Sequence, residues 1–147
     1  MERNMIEVRF MKTRGIIARL IRWFTWSEFN HVDINVNGKW YGASRTFGVH
    51  RSDKQRPSYI YAEKLFISST PEEREYVLRF LEGELGKSYD WRGIFGFILR
   101  KNLHHRDKWF CSEYVGTALN YVEGRYFEDT FKLSPNSLYD FLSHDKY

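Results

Sequence analysis

The 147-residue chain has a single cysteine, Cys111, within Trp109-Phe110-Cys111-Ser112-Glu113-Tyr114-Val115. Ser112 to Leu119 follow with helix-compatible spacing, which predicts a thiol on the first turn of a helix. There the unpaired backbone N–H groups and the macrodipole favour an anion and stabilise a thiolate. That is how a nucleophile is built, although a free cysteine is also among the most buried residue types and often packs as a small hydrophobe. A nucleophilic thiol needs a base within hydrogen-bond reach and usually a third group to orient that base. Of the five histidines, His104 and His105 fall in a polar loop and His144 near the C-terminus, where each reads as solvated. His50 follows Val49 near a strand end and is open to either reading. His31 differs, because it begins the alternating stretch His31-Val32-Asp33-Ile34-Asn35-Val36 and is fixed on a polar face by its period of two.

The elements around these residues can be read from period and punctuation. Asn37-Gly38 is a strong hairpin signal, since both central residues of a type I′ turn need positive φ. A two-residue loop pairs Val36 with Lys39, and counting outward puts His31 opposite Ser44 and Asp33 opposite Gly42. With Val32, Ile34 and Val36 toward the core, His31, Asp33 and Asn35 share the other face. Ile6 to Phe10 reads as a half-buried strand, and further strands are expected around Gly48-Val49-His50 and from Tyr59 to Ile67. A helix opening at Gly15 carries Ile16, Ile17, Leu20, Ile21 and Phe24 on one face and Arg19 and Arg22 on the other. It reads first as a core-facing helix with solvated arginines. Thr70, Pro71 and Glu73 form an N-cap, a first-turn proline and a capping box, followed by an apolar face of Tyr76, Val77, Phe80, Leu81 and Leu85 and a C-cap at Gly86. The Cys111 helix is expected to reach as far as Val122, and Ser134-Pro135 starts a last helix with Leu138, Phe141 and Leu142. The order is α+β, not alternating β-α-β, and the length suits one domain over residues 1–147.

Composition narrows the function classes. One cysteine excludes an internal disulfide framework and leaves cytosol as the default compartment. The 5 Trp, 10 Tyr and 12 Phe argue for a packed globule and not for disorder. Residues 1–60 carry 11 Lys/Arg against 5 Asp/Glu, whereas residues 61–147 carry 12 against 14, so the basic excess lies in the first half. Such a half can meet an anionic partner, though no dense Lys/Arg block points to nucleic acid. No signal peptide is visible, and the longest apolar run, Gly93 to Leu99, is too short to span a bilayer. Adjacent loop histidines are weak evidence for zinc, no glycine-rich phosphate loop occurs, and Ser112 has no G-x-S-x-G surroundings. No cofactor is expected.

Taken together, the motifs resemble the permuted papain-like hydrolases, the YaeF/YiiX-like relatives of the NlpC-type cysteine peptidases. In the unpermuted family a motif similar to G-x-x-Y-x-W-G precedes a helix-starting D-C-S-G, and a strand beginning S-H-V-G-I comes later. Here Gly86-Lys87-Ser88-Tyr89-Asp90-Trp91 precedes Phe110-Cys111-Ser112-Glu113, and Asn30-His31-Val32-Asp33-Ile34 lies ahead of both. Ser134-Pro135-Asn136-Ser137-Leu138 resembles the S-P-x-x-L segment of the permuted group. The resemblance covers roughly residues 5–142, and the F-C-S-E motif with a basic helix before His31 resembles versions encoded by phages and prophages. It implies a permuted papain-like fold, an antiparallel sheet or barrel against a nucleophile-bearing helix. It also implies Cys111 as nucleophile, His31 as general base, and Tyr89 as an aromatic whose hydroxyl helps bind the oxyanion.

The chain departs from this pattern at the third polar residue. Relatives commonly carry Glu, His or another polar group on the return strand near Gly42, and glycine cannot orient an imidazole. Asp33 on the same face, Ser44 directly opposite and His50 are the candidates. A carboxylate does this best because it also stabilises the imidazolium, which favours Asp33.

The function expected is a cysteine hydrolase of amidase or peptidase type, acting through an acyl-enzyme on a small acyl, peptide or lipid substrate in the cytoplasm of a bacterial host or phage-infected cell. Two rivals follow from the same residues. One is a non-catalytic binding module on the same scaffold that uses the basic N-terminal half. The other is a lipid acyl hydrolase or acyltransferase whose Gly15–Trp26 helix docks on anionic lipid.

Overall fold

Five strands make one antiparallel sheet: β1 (Met5–Lys12), β2 (His31–Val36), β3 (Lys39–Ser44), β4 (Gly48–Ser52) and β5 (Tyr61–Ser68), in the order β4-β3-β2-β1-β5. The computed structural model describes residues 4–25, 28–44, 46–53, 59–89, 108–122, 127–128, 130 and 133–144. The strands of the β2–β3 hairpin turn at Asn37 and Gly38, with φ of 54° and 84°, the left-handed pair that a type I′ turn requires. Val36 pairs with Lys39, Asn35 with Trp40 and Ile34 with Tyr41, the register expected from a two-residue loop. On the other side of β2, Phe10 pairs with Val32 and Met11 with His31, so the strand that carries His31 is central. Its polar face is also covered: His31 and Asp33 keep 7% and 1% of their surface.

Four helices accompany the sheet among the described residues: α1 (Ile16–Thr25), α2 (Pro71–Gly83), α3 (Cys111–Leu119) and α4 (Pro135–His144). The architecture is mixed α+β. The core joins Ile6, Val8, Phe10, Val32, Ile34 and Tyr41 of the sheet to Val77 and Leu81 of α2, Tyr114 and Val115 of α3, and Leu138 of α4. Polar ties fix the layers as well. The Tyr41 hydroxyl donates to Glu82 at 2.6 Å, and the Tyr114 hydroxyl donates to the Leu81 carbonyl at 2.8 Å. A short parallel pair, β6 (Ser88–Tyr89) and β7 (Lys108–Trp109), runs into the start of α3.

Several expectations hold locally and shift in detail. Thr70 caps α2, accepting from the Glu73 N–H at 3.1 Å while the Glu73 carboxylate accepts from the Thr70 N–H at 2.7 Å. The helix ends at Gly83 with Glu84 as C-cap. Gly86 serves the turn beyond it at φ 88°, where its N–H reaches the Val49 carbonyl. On α2, Tyr76 is exposed and stacks on Tyr121, while Arg74, which apolar spacing does not mark, is buried and donates to the Ser69 carbonyl at 2.6 Å. The fourth helix starts as expected, with Ser134 Oγ accepting from the Ser137 N–H at 3.0 Å and Leu138 buried. Phe141 stays outside, against Phe127.

The largest correction concerns α1. Ala18 and Ile21 are the residues that face inward, whereas Ile16 and Leu20 are exposed. Arg22 belongs to the inward arc, because at ~100° per residue it lies beside Ala18 and Ile21. Its guanidinium donates to the Thr13 carbonyl at 2.9 Å and to Asn30 Oδ1 at 2.8 Å, so it is bound and not solvated. That tether sets the rotation of the helix against the body. The side chains of Ile17 and Phe24 lie outside what is described, as do Asp90, Trp91, the Gly93–Leu99 segment, the loop to residue 107 with His104 and His105, and Trp26.

Candidate active site

The site is assembled from a strand start and a helix start. Before β2, the Asn30 N–H bonds the Met11 carbonyl at 3.1 Å and continues the sheet ladder by one residue. The Asn30 side chain is held on both its atoms. Its Oδ1 accepts from the Thr13 N–H at 2.8 Å and from Arg22, and its Nδ2 donates to Thr13 Oγ1 at 2.7 Å. All of this is buried or half-buried, which fixes the backbone that enters His31. The Cys111 thiol lies against the same backbone, donating to the Asn30 carbonyl at 3.9 Å.

His31 Nε2 donates to Asp33 Oδ1 at 2.7 Å, and the Cys111 thiol lies close enough to the imidazole to favour its charged form. With Nε2 held by the carboxylate, Nδ1 is the ring nitrogen left for the thiol. Burial acts against the imidazolium and is the largest single influence on it. The Asp33 charge, its hydrogen bond and the Cys111 thiol together outweigh that effect and raise His31 well above its ordinary value of 6.5.

The carboxylate of Asp33 occupies space that the return strand leaves open. A Cβ on Gly42 would sit 2.0 Å from Asp33 Oδ1 and 3.0 Å from its Cγ. Glycine at position 42 is thus the condition for the acid at position 33. The other two candidates are engaged elsewhere. Ser44 Oγ accepts from the Phe47 N–H at 3.1 Å in the β3–β4 turn, and His50 Nδ1 bonds the Gly48 carbonyl at 3.0 Å.

Cys111 is the first residue of α3. Phe110, the N-cap, makes no side-chain cap bond, and the first helical bond runs from the Tyr114 N–H to the Phe110 carbonyl. Ser112 locks the helix start from below, its hydroxyl donating to the Leu133 carbonyl at 2.5 Å. Tyr89 pairs with Trp109 in the β6–β7 pair, and its ring lies 5.8 Å from that of Phe110, the residue before Cys111.

Asn30 and Arg22 are the residues that sequence reasoning missed. Asn30 was visible only as the position before a strand histidine, and no spacing marks Arg22 as its partner. Among the described residues no three His, Cys, Asp or Glu side chains gather to hold a metal ion, and no helix is long and apolar enough to cross a membrane. In comparisons with protein-family models and with curated proteins, nothing matches this chain.

Proposed function

We propose that this chain is a cysteine hydrolase of amidase or peptidase type on a permuted papain-like scaffold, with Cys111 as nucleophile, His31 as general base and Asp33 as the group that orients and charges His31. The observation that carries the reading is a buried imidazole that has a carboxylate 2.7 Å from its Nε2 and the Cys111 thiol among the groups that raise its proton affinity. A buried histidine has two ring nitrogens to satisfy. This one has an acid and a thiol, the arrangement of an activated nucleophile.

In the proposed reaction His31 takes the thiol proton and Cys111 Sγ bonds to the acyl carbon. The N–H of Cys111, at the uncapped start of α3, faces the developing oxyanion, a contribution typically worth about 2.7–4 kcal/mol per donor, with the Tyr89 hydroxyl beside it. Collapse breaks the C–N or C–O bond, and the imidazolium returns its proton to the leaving amine or alcohol. Water, deprotonated by His31, then attacks the thioester and releases the acid and the thiol. Cys111 has no exposed surface in this structure, so substrate entry requires an opening of the site.

The reading is tested by incubating the folded protein with an activated acyl ester and measuring its intact mass. An acyl adduct on Cys111 is expected, absent in Cys111→Ser and formed about a hundredfold more slowly in His31→Ala. No adduct on the folded wild type, or one indifferent to His31, overturns the proposal.

A further inference from the structure

The α1 helix buries one arc and leaves the opposite arc apolar. Ile16 is 76% exposed, Leu20 40% and Trp23 71%. At ~100° per residue these three fall within a stripe about 60° wide, facing away from Ala18 and Ile21. A surface helix ordinarily turns its polar face to water, so an exposed stripe of Ile, Leu and Trp is a contact surface. Its surroundings are basic. From Lys12 to Thr25 the chain carries Lys12, Arg14, Arg19 and Arg22 and no acid, and Arg14 and Arg19 are exposed.

We propose that this face of α1 docks on an anionic lipid surface. An apolar stripe with a tryptophan sinks into the headgroup boundary, and flanking arginines meet the lipid phosphates. A protein partner would be served by the stripe alone and a nucleic acid by the arginines alone, whereas a membrane surface uses both at once. The same helix is anchored through Arg22 to Asn30, whose carbonyl meets the Cys111 thiol, so docking sets the candidate site at the membrane boundary. The docking itself does not depend on turnover at Cys111.

Flotation of the full chain with vesicles tests this. Binding is expected to phosphatidylglycerol-containing vesicles at low salt, to fall sharply at high salt, and to be absent with pure phosphatidylcholine. The double variant Leu20→Glu/Trp23→Glu should lose flotation, and Arg19→Gln should weaken it about fivefold. Both variants should keep the wild-type melting temperature and the wild-type reactivity of Cys111, which separates failure of docking from failure of the catalytic reading. Wild type that stays with the solution at low salt overturns the proposal. So does flotation that survives in the double variant, salt-dependent capture of nucleic acid through the same residues without vesicle binding, or a wild-type dimer that the double variant turns into a monomer.

Discussion

The His31–Asp33 pair sets the chemistry of the site at the scale of single residues, and it has a pH signature. In the unfolded chain an imidazole titrates near 6.5, whereas in the folded protein His31 holds its proton to higher pH. The folded state therefore binds the proton more tightly, and the resulting stabilisation is fully present below about pH 6.5 and lost as pH rises through the raised value. Replacing Asp33 by Asn keeps the shape and removes the charge. The melting temperature of wild type should exceed that of Asp33→Asn most at about pH 6, with the gap closing toward alkaline pH; a gap that widens with pH contradicts the pairing. His31→Ala leaves a buried carboxylate without its partner, and such losses cost about 3–5 kcal/mol, measurable by denaturant unfolding. Both residues were legible beforehand because a strand period and a hairpin register fix which side chains share a face. What spacing did not show is that this face is buried, since the cover comes from elsewhere in the chain.

The elements matter because they hold these groups in line. Gly42→Ala puts a methyl where Asp33 Oδ1 now lies, so the carboxylate must move off His31. A stability loss of about 1–3 kcal/mol is expected from overpacking, together with slower alkylation of Cys111; a variant with unchanged reactivity would show that Asp33 does not act through this contact. Thr70→Ala supplies the contrast. It removes a cap worth about 1 kcal/mol and should lower stability while leaving Cys111 reactivity unchanged. The Thr70 N-cap, the Asn37-Gly38 turn and the Ser134-Pro135 start were readable because each is a local contract between neighbours, whereas the C-cap expected at Gly86 falls on Glu84. The buried arc of α1 was not readable, because Ile16, Ile17, Leu20, Ile21 and Phe24 form one wide apolar arc, whereas the buried side is the neighbouring arc of Ala18 and Ile21 beside Arg22, which is tied to Asn30. The same long-range bond explains why an arginine read as solvated is part of the site's support.

At the scale of the whole molecule, β5 closes the sheet beside β1 from fifty residues away, pairing Met5 with Ser68 and Lys12 with Tyr61. No local pattern specifies that partner. α+β could therefore be read from element order, while the strand order β4-β3-β2-β1-β5 could not. The proposed site spans the chain in the same way: His31 comes from the N-terminal sheet and Cys111 from a helix eighty residues later, so neither half can do the proposed chemistry alone. The central claim is that Cys111, although it has no exposed surface, is a working nucleophile and not a packed thiol. The most direct measurement is the rate of iodoacetamide alkylation of Cys111 in the native protein, compared with His31→Ala and with the denatured chain. The account predicts labelling of the folded wild type that drops about tenfold or more without His31. Labelling only after denaturation, or at one rate with and without His31, would contradict it.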